Sequence, residues 1–487
     1  MSNYTITENG APSFLSTLDP RLDLFFKTVR DLGSNNERLY DLIDASWKVD
    51  KLDTMKILMN WRDCRGGKGD YTGFLTSMVY LGVQDTDWVT SNIKLFPEYG
   101  SWLDLVKLWH LSPDNKVKNT IMDTIITQLN TDKSNLQTDP SKVSLLAKWL
   151  PSENSKWDRY TKERFNIELC KDVFSTWRVD SSHLKTFRKE YISPLRKQLS
   201  LVETYMCQKR FGEIDYEKVP SVAMQKYRKA FLRNDMARFD KYLVDVNIGK
   251  AKINSSQVYP HDLVSDYLNG YGTEDPVIEA QWKDIKARVT ASKAFEKSIA
   301  VVDVSSSMSG TPMAVAIALG LLSLNTSNNN NVLTFSQDPK LHYIPDDSLF
   351  NQVNNIMRMH WGMNTNFEKV MQIVLDMIKN GGTPIERIYI FSDMQFDKAI
   401  RTDSTHFEMI KTQFEEANLT MPTIVFWNLR ANTPDVPVSC NEHGVIMISG
   451  YSPSLLTCIL DKDDITPLSM MFKIIRGPRY NAIVVPS

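Results

Sequence analysis

The chain has 487 residues, several times the roughly 100–200 of one domain, so a single small module is excluded and two or more domains are expected. Hydrophobic residues at 42 %, with 11 Trp, 18 Tyr and 21 Phe, exclude wholesale disorder. Lys plus Arg number 57 against 58 Asp plus Glu; the resulting net charge of -1 gives no global electrostatic reason to bind nucleic acid, so any basic surface has to be local.

Met1 to Phe14 is polar and lacks a basic start followed by an apolar core, so it does not read as a secretory signal, and residues 1–19 are expected to form an N-terminal tail. From about 20 to 290 the apolar residues recur at spacings of three and four, as in Arg38 to Trp47, Thr54 to Trp61 and Trp102 to Trp109, which predicts an all-α domain. Brief polar turns such as Arg65-Gly-Gly-Lys-Gly69-Asp70 and Ser112-Pro-Asp-Asn115 suit helix pairs stacked into a solenoid, with an irregular helical domain as the alternative. A phosphate-binding loop at Arg65 to Gly69 is rejected, because the four-residue spacer is absent and no Ser or Thr follows Lys68.

Charge is segregated along the chain: residues 151–250 hold 21 Lys/Arg against 14 Asp/Glu, whereas 291–487 hold 15 against 19. In the basic stretch Phe187-Arg-Lys-Glu-Tyr191, Leu195-Arg-Lys197, Lys209-Arg210 and Lys226-Tyr-Arg-Lys229 interleave cations with aromatics. Such cations can neutralise phosphates, and aromatic faces can stack on unpaired bases. Arg188, Lys189, Arg196, Lys197, Lys226, Arg228 and Lys229 are the candidate RNA-binding residues. The competing account is that the cations line solvated helix faces and the aromatics belong to the core.

After Lys297 the pattern changes. Ser298 to Asp303, Asn331 to Phe335, Arg387 to Phe391, Thr423 to Trp427 and Gly444 to Ser449 read as buried strands. Helical segments are expected near 312–325, 366–379, 404–417 and 453–460, which implies a mostly parallel sheet covered on both faces. Residues 325–331 read as a solvated turn.

Asp303-Val-Ser305-Ser-Ser307 follows the first strand, where parallel sheets bind ligands at the topological switch point. One carboxylate and two hydroxyls at alternate positions can converge on a hard cation. Thr365 precedes a helix and Asp393 ends a later strand. The alternative is that the two aspartates cap the following helices and the hydroxyls satisfy turn amides. A phosphatase would want a second carboxylate at position 305, which is Ser; no G-x-S-x-G surrounds Ser306 and no H-E-x-x-H pair occurs, so no enzymatic activity is expected.

The D-x-S-x-S, Thr, Asp order resembles the metal-ion-dependent adhesion site of von Willebrand factor A domains. The resemblance implies that Ser305, Ser307 and Thr365 supply hydroxyl ligands and that Asp303 and Asp393 contact a Mg²⁺ or Mn²⁺ ion directly or through water. Such a site would accept an acidic group from a partner protein. Trp61-Arg-Asp-Cys-Arg65-Gly-Gly-Lys-Gly69, Tyr99-Gly-Ser-Trp-Leu-Asp104-Leu, Ser193-Pro-Leu-Arg-Lys197, Val219-Pro-Ser-Val-Ala-Met224, Gly249-Lys-Ala-Lys-Ile253, Tyr259-Pro-His261, Phe391-Ser-Asp-Met-Gln395, Phe426-Trp-Asn-Leu429 and Ser449-Gly-Tyr-Ser-Pro453 resemble a family of plants, fungi and giant viruses, over roughly residues 20 to 485. More distantly, the architecture is similar to the TROVE (Ro) proteins of ribonucleoproteins. Together these imply a HEAT-like α-helical repeat domain over 20–290 and a Rossmann-like von Willebrand A domain over 291–487, acting as a binding scaffold. The expected partners are an acidic protein ligand and RNA, or protein alone in a virion-associated assembly.

Cys64, Cys170, Cys207, Cys440 and Cys458 are an odd, dispersed set without CxxC spacing, which predicts a reducing compartment and no zinc site. The longest apolar run, Met313 to Leu324, is too short for a membrane span. A soluble cytoplasmic protein is therefore expected, with the virion as the alternative that the giant-virus resemblance implies.

Overall fold

The computed structural model describes residues 3–486, apart from 8, 31, 33–35, 271, 325–329, 336–338, 359–365, 382–383, 397–405, 431–434 and 459–464. Its order is a short N-terminal hairpin, β1 (Tyr4–Ile6) with β2 (Pro12–Phe14), then helices to Ser292, then a six-stranded sheet. The sheet comprises β3 (Ser298–Asp303), β4 (Asn331–Phe335), β5 (Leu341–Tyr343), β6 (Arg387–Ser392), β7 (Thr423–Asn428) and β8 (Val445–Ser449). Strand order is β5-β4-β3-β6-β7-β8, parallel throughout except for the antiparallel edge strand β5.

Alternation along the strands divides the sheet between two cores, because successive side chains point to opposite faces. Ile299, Val301, Ile388, Ile390, Ile424 and Phe426 join the helix Phe367–Lys379 in one apolar layer. Ala300, Val302, Tyr389, Phe391, Val425 and Trp427 face the other way, into a core that continues without a break into the helical part. Helix Thr311–Ser323 fills that junction and is buried from Pro312 to Ser323. Gly320 permits its close approach: a Cβ there would lie 2.5 Å from Val302 Cγ2.

The helical part is held by local caps and by returns of distant chain. Asp114 accepts from Val117 N at 2.9 Å and starts the 24-residue helix Asn115–Thr138. Asp104 accepts from Ser101 N at 2.9 Å and also from Arg62 Nε at 2.8 Å, so one carboxylate caps a helix and pins its neighbour. Helices vary from 4 to 24 residues, which suits an irregular assembly better than a regular solenoid.

Both ends of the chain cross between the parts. Helix Pro20–Lys27 lies against β8, and the C-terminal segment returns over the helices. There Arg476 pairs with Asp53 at 2.6 Å, Arg479 Nη2 with Asp63 at 2.9 Å, and Tyr480 donates to Asp63 at 3.1 Å. No helix among the described residues is long and apolar enough to cross a membrane.

Candidate functional site

From β3 the chain runs outward to β4 and β5 on one side, then crosses back to β6 on the other, so the crevice beyond β3 and β6 is the switch point of the sheet. Val302 pairs with Phe391, which sets Asp303 beside Ser392 and brings Asp393 to the same rim. Asp303 is 0 %, Asp393 1 % and Ser305 2 % exposed, whereas Ser307 is open to solvent. Ser305 N donates to Asp303 Oδ1 at 2.9 Å, Ser392 Oγ to Asp303 Oδ2 at 2.6 Å, and the Ser305 and Ser307 hydroxyls are 2.9 Å apart.

Asp393 accepts from Gln395 N at 3.2 Å through one oxygen, while its buried Oδ2 has no hydrogen-bond partner. Burial, and then the charge of Asp393, push the Asp303 carboxyl up to about 7. Among the described residues no Lys, Arg or His pairs with either aspartate. Two buried carboxylates with an orphaned oxygen are relieved by a proton or by a cation, and the side-chain groups around them offer oxygen, the ligand a hard cation prefers. No group of three or more His, Cys, Asp or Glu gathers among the described residues, so such a cation would depend on the serine hydroxyls.

Of the five expected ligands, the sheet therefore gathers Asp303, Ser305, Ser307 and Asp393 at one rim; Thr365 lies outside the described residues. The helix-capping alternative does not hold for Asp303, since Gly310 occupies the N-cap of Thr311–Ser323. Each aspartate does satisfy a turn amide, but with one oxygen only.

The helical part contains a cleft of about 1290 Å³. Arg62, Arg65, Lys148, Arg188, Arg196 and Lys226 line it, with Trp102, Trp149 and Tyr227, against a single acid, Glu203. Arg62 is matched by Asp104 at 2.7 Å, and Arg65 donates to the Glu98 carbonyl. Arg196 donates to the Ala147 and Leu150 carbonyls at 2.8 Å each, which orients the guanidinium without neutralising it. Burial, and then the neighbouring Arg188, lower its pKa. Among the described residues no carboxylate forms a salt bridge with Lys148, Arg188, Arg196 or Lys226.

A local irregularity aligns two of these cations. Pro194 has no N–H for the Glu190 carbonyl, and Arg188–Ile192 form a π turn in which Ser193 N reaches back to Arg188 O. The additional residue in that turn carries Arg196 round toward the face of Arg188.

Arg188, Arg196 and Lys226 thus line the cleft, whereas Lys189, Lys197 and Lys229 are exposed outside its lining. Arg228 corrects the sequence expectation. It is 6 % exposed, and its guanidinium bonds Asp275 at 2.7 Å and Asp266 at 3.0 Å inside the fold. Arg210 is likewise held by Glu213, and neither it nor Lys209 is in the cleft lining.

Sequence reasoning missed Arg62, Lys148, Trp102 and Trp149, which come from other helices, and Arg65, which comes from a turn. It also missed Lys68, whose ammonium is buried and bonds the Phe25 carbonyl, Thr28 Oγ1 at 2.5 Å and Ser449 Oγ at 2.7 Å. That lysine ties the turn at 63–71 to the end of β8. Gly69 there has φ +76°, the positive value the turn requires.

The profile of a domain of unknown function, DUF2828, matches residues 7–126 and 115–294. That of a second domain of unknown function, DUF7788, matches 297–471. An uncharacterised protein of Acanthamoeba polyphaga mimivirus is 32 % identical over 529 aligned positions, covering 100 % of this chain and 90 % of the viral protein. The crystal structure of the Deinococcus radiodurans Ro (RSR) protein is similar at a TM-score of 0.37 and 14 % identity, over 79 % of this chain and 92 % of that one, too slight a likeness to fix the fold.

Proposed function

The chain belongs to the DUF2828 family, and from that premise we propose that it is a non-enzymatic scaffold that grips an acidic group of a partner protein through a divalent cation. In this reading the sheet and its helices are a von Willebrand A-type domain, and Asp303, Ser305, Ser307 and Asp393, with Thr365, would hold Mg²⁺ or Mn²⁺. The orphaned Asp393 Oδ2, buried near Asp303 with no cation paired to it among the described residues, is the observation that carries the reading. A cation held largely by neutral hydroxyls keeps enough charge to attract a carboxylate. The chain's own part is to fix the donors on rigid strand ends and to keep Asp303 dry. Titration calorimetry with Mn²⁺ tests it: the unaltered chain should bind one ion, and a chain that binds none rejects the reading.

A second reading is favoured by the cleft, whose cations far outnumber its one acid. On this reading the helical part binds RNA, phosphates meeting Lys148, Arg188, Arg196 and Lys226 while unpaired bases stack on Trp149 and Tyr227. Retention of a fluorescent single-stranded RNA should fall steeply with salt and be lost when Arg188, Arg196 and Lys226 are reversed in charge. If RNA is not retained even at low salt, the protein-only assembly reading replaces it. We place the protein in the cytoplasm, a reading that the dispersed cysteines support, the four described ones, Cys64, Cys170, Cys207 and Cys440, being free thiols; the mimivirus relative supports a virion-associated alternative.

A further inference from the structure

The turn that presents Asp393 is an improbable piece of backbone. Met394 has φ +66° although it is not glycine, and its side chain is 3 % exposed in the apolar layer beneath the sheet. A buried non-glycine residue in that region persists only where its surroundings fix it from several sides. Within the turn, Met394 N donates to Ser392 Oγ at 3.1 Å and Gln395 N to Asp393 Oδ1 at 3.2 Å.

Further restraints come from the other end of the chain. Asn9 Nδ2 donates to the Gln395 carbonyl at 2.9 Å, and Thr7 Oγ1 to the Phe396 carbonyl at 2.8 Å. Gln395 Nε2 donates to Asp435 Oδ1 at 3.2 Å, and the other oxygen of that buried carboxylate accepts from Ser13 Oγ at 3.1 Å. Phe14 and Val436 exchange backbone hydrogen bonds of 3.0 and 2.8 Å, which anchor the hairpin there. Ala11 is buried in the same apolar layer as Met394 and Phe396. Residues nearly four hundred positions away therefore clasp both carbonyls that follow Met394.

We propose that the N-terminal hairpin is a positioning element of the metal site, with Thr7, Asn9 and Ser13 as positioning residues that hold the turn presenting Asp393. This inference rests on the metal reading above. Among the described residues no hydrogen bond joins the hairpin to Asp303, Ser305 or Ser307, so its effect passes through the aim of one carboxylate. Without it the turn relaxes out of the left-handed conformation, and the Asp393 carboxylate is no longer held at the rim beside Asp303.

Mn²⁺ is the probe, bound to the full chain and followed by calorimetry and by the electron paramagnetic resonance of the ion. The double variant Thr7→Val with Asn9→Ala should raise the Mn²⁺ Kd about 10-fold or more, the size of effect that outer-shell partners have on metal affinity. Thr7→Ser, which keeps the hydroxyl, should bind as the unaltered chain does, and a cooperative melt in EDTA shows that each variant is folded under the conditions of the titration. Equal affinity in the double variant and the unaltered chain overturns the hairpin's role and leaves the metal site standing. No Mn²⁺ bound by the unaltered chain overturns both. Should the double variant not fold, Ser13→Ala is read instead, and an unchanged Kd there overturns the role.

Discussion

The switch-point crevice and the helical cleft each concentrate charge of one sign, yet they differ in how the fold treats it. At the crevice two carboxylates are sealed from water by strand register, so burial and then their mutual repulsion raise the Asp303 carboxyl to about 7. In the cleft the cations stand around a cavity of about 1290 Å³ and share its solvent. Burial is complete at the crevice and partial in the cleft, where Arg196 is only in part desolvated. Within the helical part Arg196 is oriented by carbonyls with no carboxylate paired to it among the described residues, whereas Arg228 is answered by two carboxylates.

That contrast between Arg228 and Arg196 breaks first under truncation. Arg228→Ala takes the buried guanidinium away from the half-buried Asp275 and Asp266, and unfolding in urea should show a loss of about 3 kcal/mol, from two charge-assisted hydrogen bonds. Arg196→Ala removes no ion pair among the described residues and should cost far less stability while weakening RNA retention. Equal stability losses in the two variants would erase the distinction.

Next in size is the crevice. Asp393→Asn removes one charge and keeps the shape; Mn²⁺ affinity should fall by about 100-fold or more, at or beyond the upper end of what outer-shell changes cause. The same variant should melt higher than the unaltered chain in EDTA, because the like-charge pair is gone. A variant that binds Mn²⁺ as before would show that the carboxylates are not its ligands.

How much of this could be read from the sequence depends on how local each signal is. The strands around Asp303 and Asp393 were legible because strands buried on both faces appear as short β-branched runs, and Ser298 to Asp303 is β3 residue for residue. The D-x-S-x-S pattern is local too. β5, three residues at the sheet's edge, and the hairpin, with Pro12 and half-exposed strands, leave no such run. Helix Pro467–Ile475 was missed despite a Thr466 cap and an apolar face of Met470, Met471 and Ile474. Arg228 was misread as a surface cation although Met224, Arg228 and Phe231 share one helix face, a spacing that already pointed inward. Its partners lie 38 and 47 residues away, as do most cleft residues from one another, and no local pattern joins them.

A smaller effect sharpens the cleft. If Trp149 is a stacking platform rather than packing, Trp149→Ala should weaken single-stranded RNA binding by about 1–3 kcal/mol. The dependence on salt should stay as it was, since no phosphate contact is lost. Lys226→Ala should do the reverse, lowering the salt slope by about 0.7 with a modest loss of affinity. Altered salt slopes in Trp149→Ala would assign that residue to the wall of the cleft.

The smallest effect concerns a cation that belongs to neither region. Lys68 is 2 % exposed with carbonyls and hydroxyls for partners, and burial holds its pKa well below 10.5. The unfolded chain then binds a proton that the folded chain lacks, over the interval from the folded value up to 10.5. Stability must rise with pH there, by at most about 1.4 kcal/mol per pH unit for one group. Lys27, lowered to about 8 chiefly by burial, adds a contribution of the same sign between about 8 and 10.5. Lys68→Met keeps the stem and removes the titration, so its stability between pH 7 and 9, followed by urea unfolding, should climb less steeply than that of the unaltered chain. Parallel slopes would mean that the ammonium stays charged among its carbonyls, and an uncompensated charge would then be tolerated at the centre of the fold as it is in the open cleft.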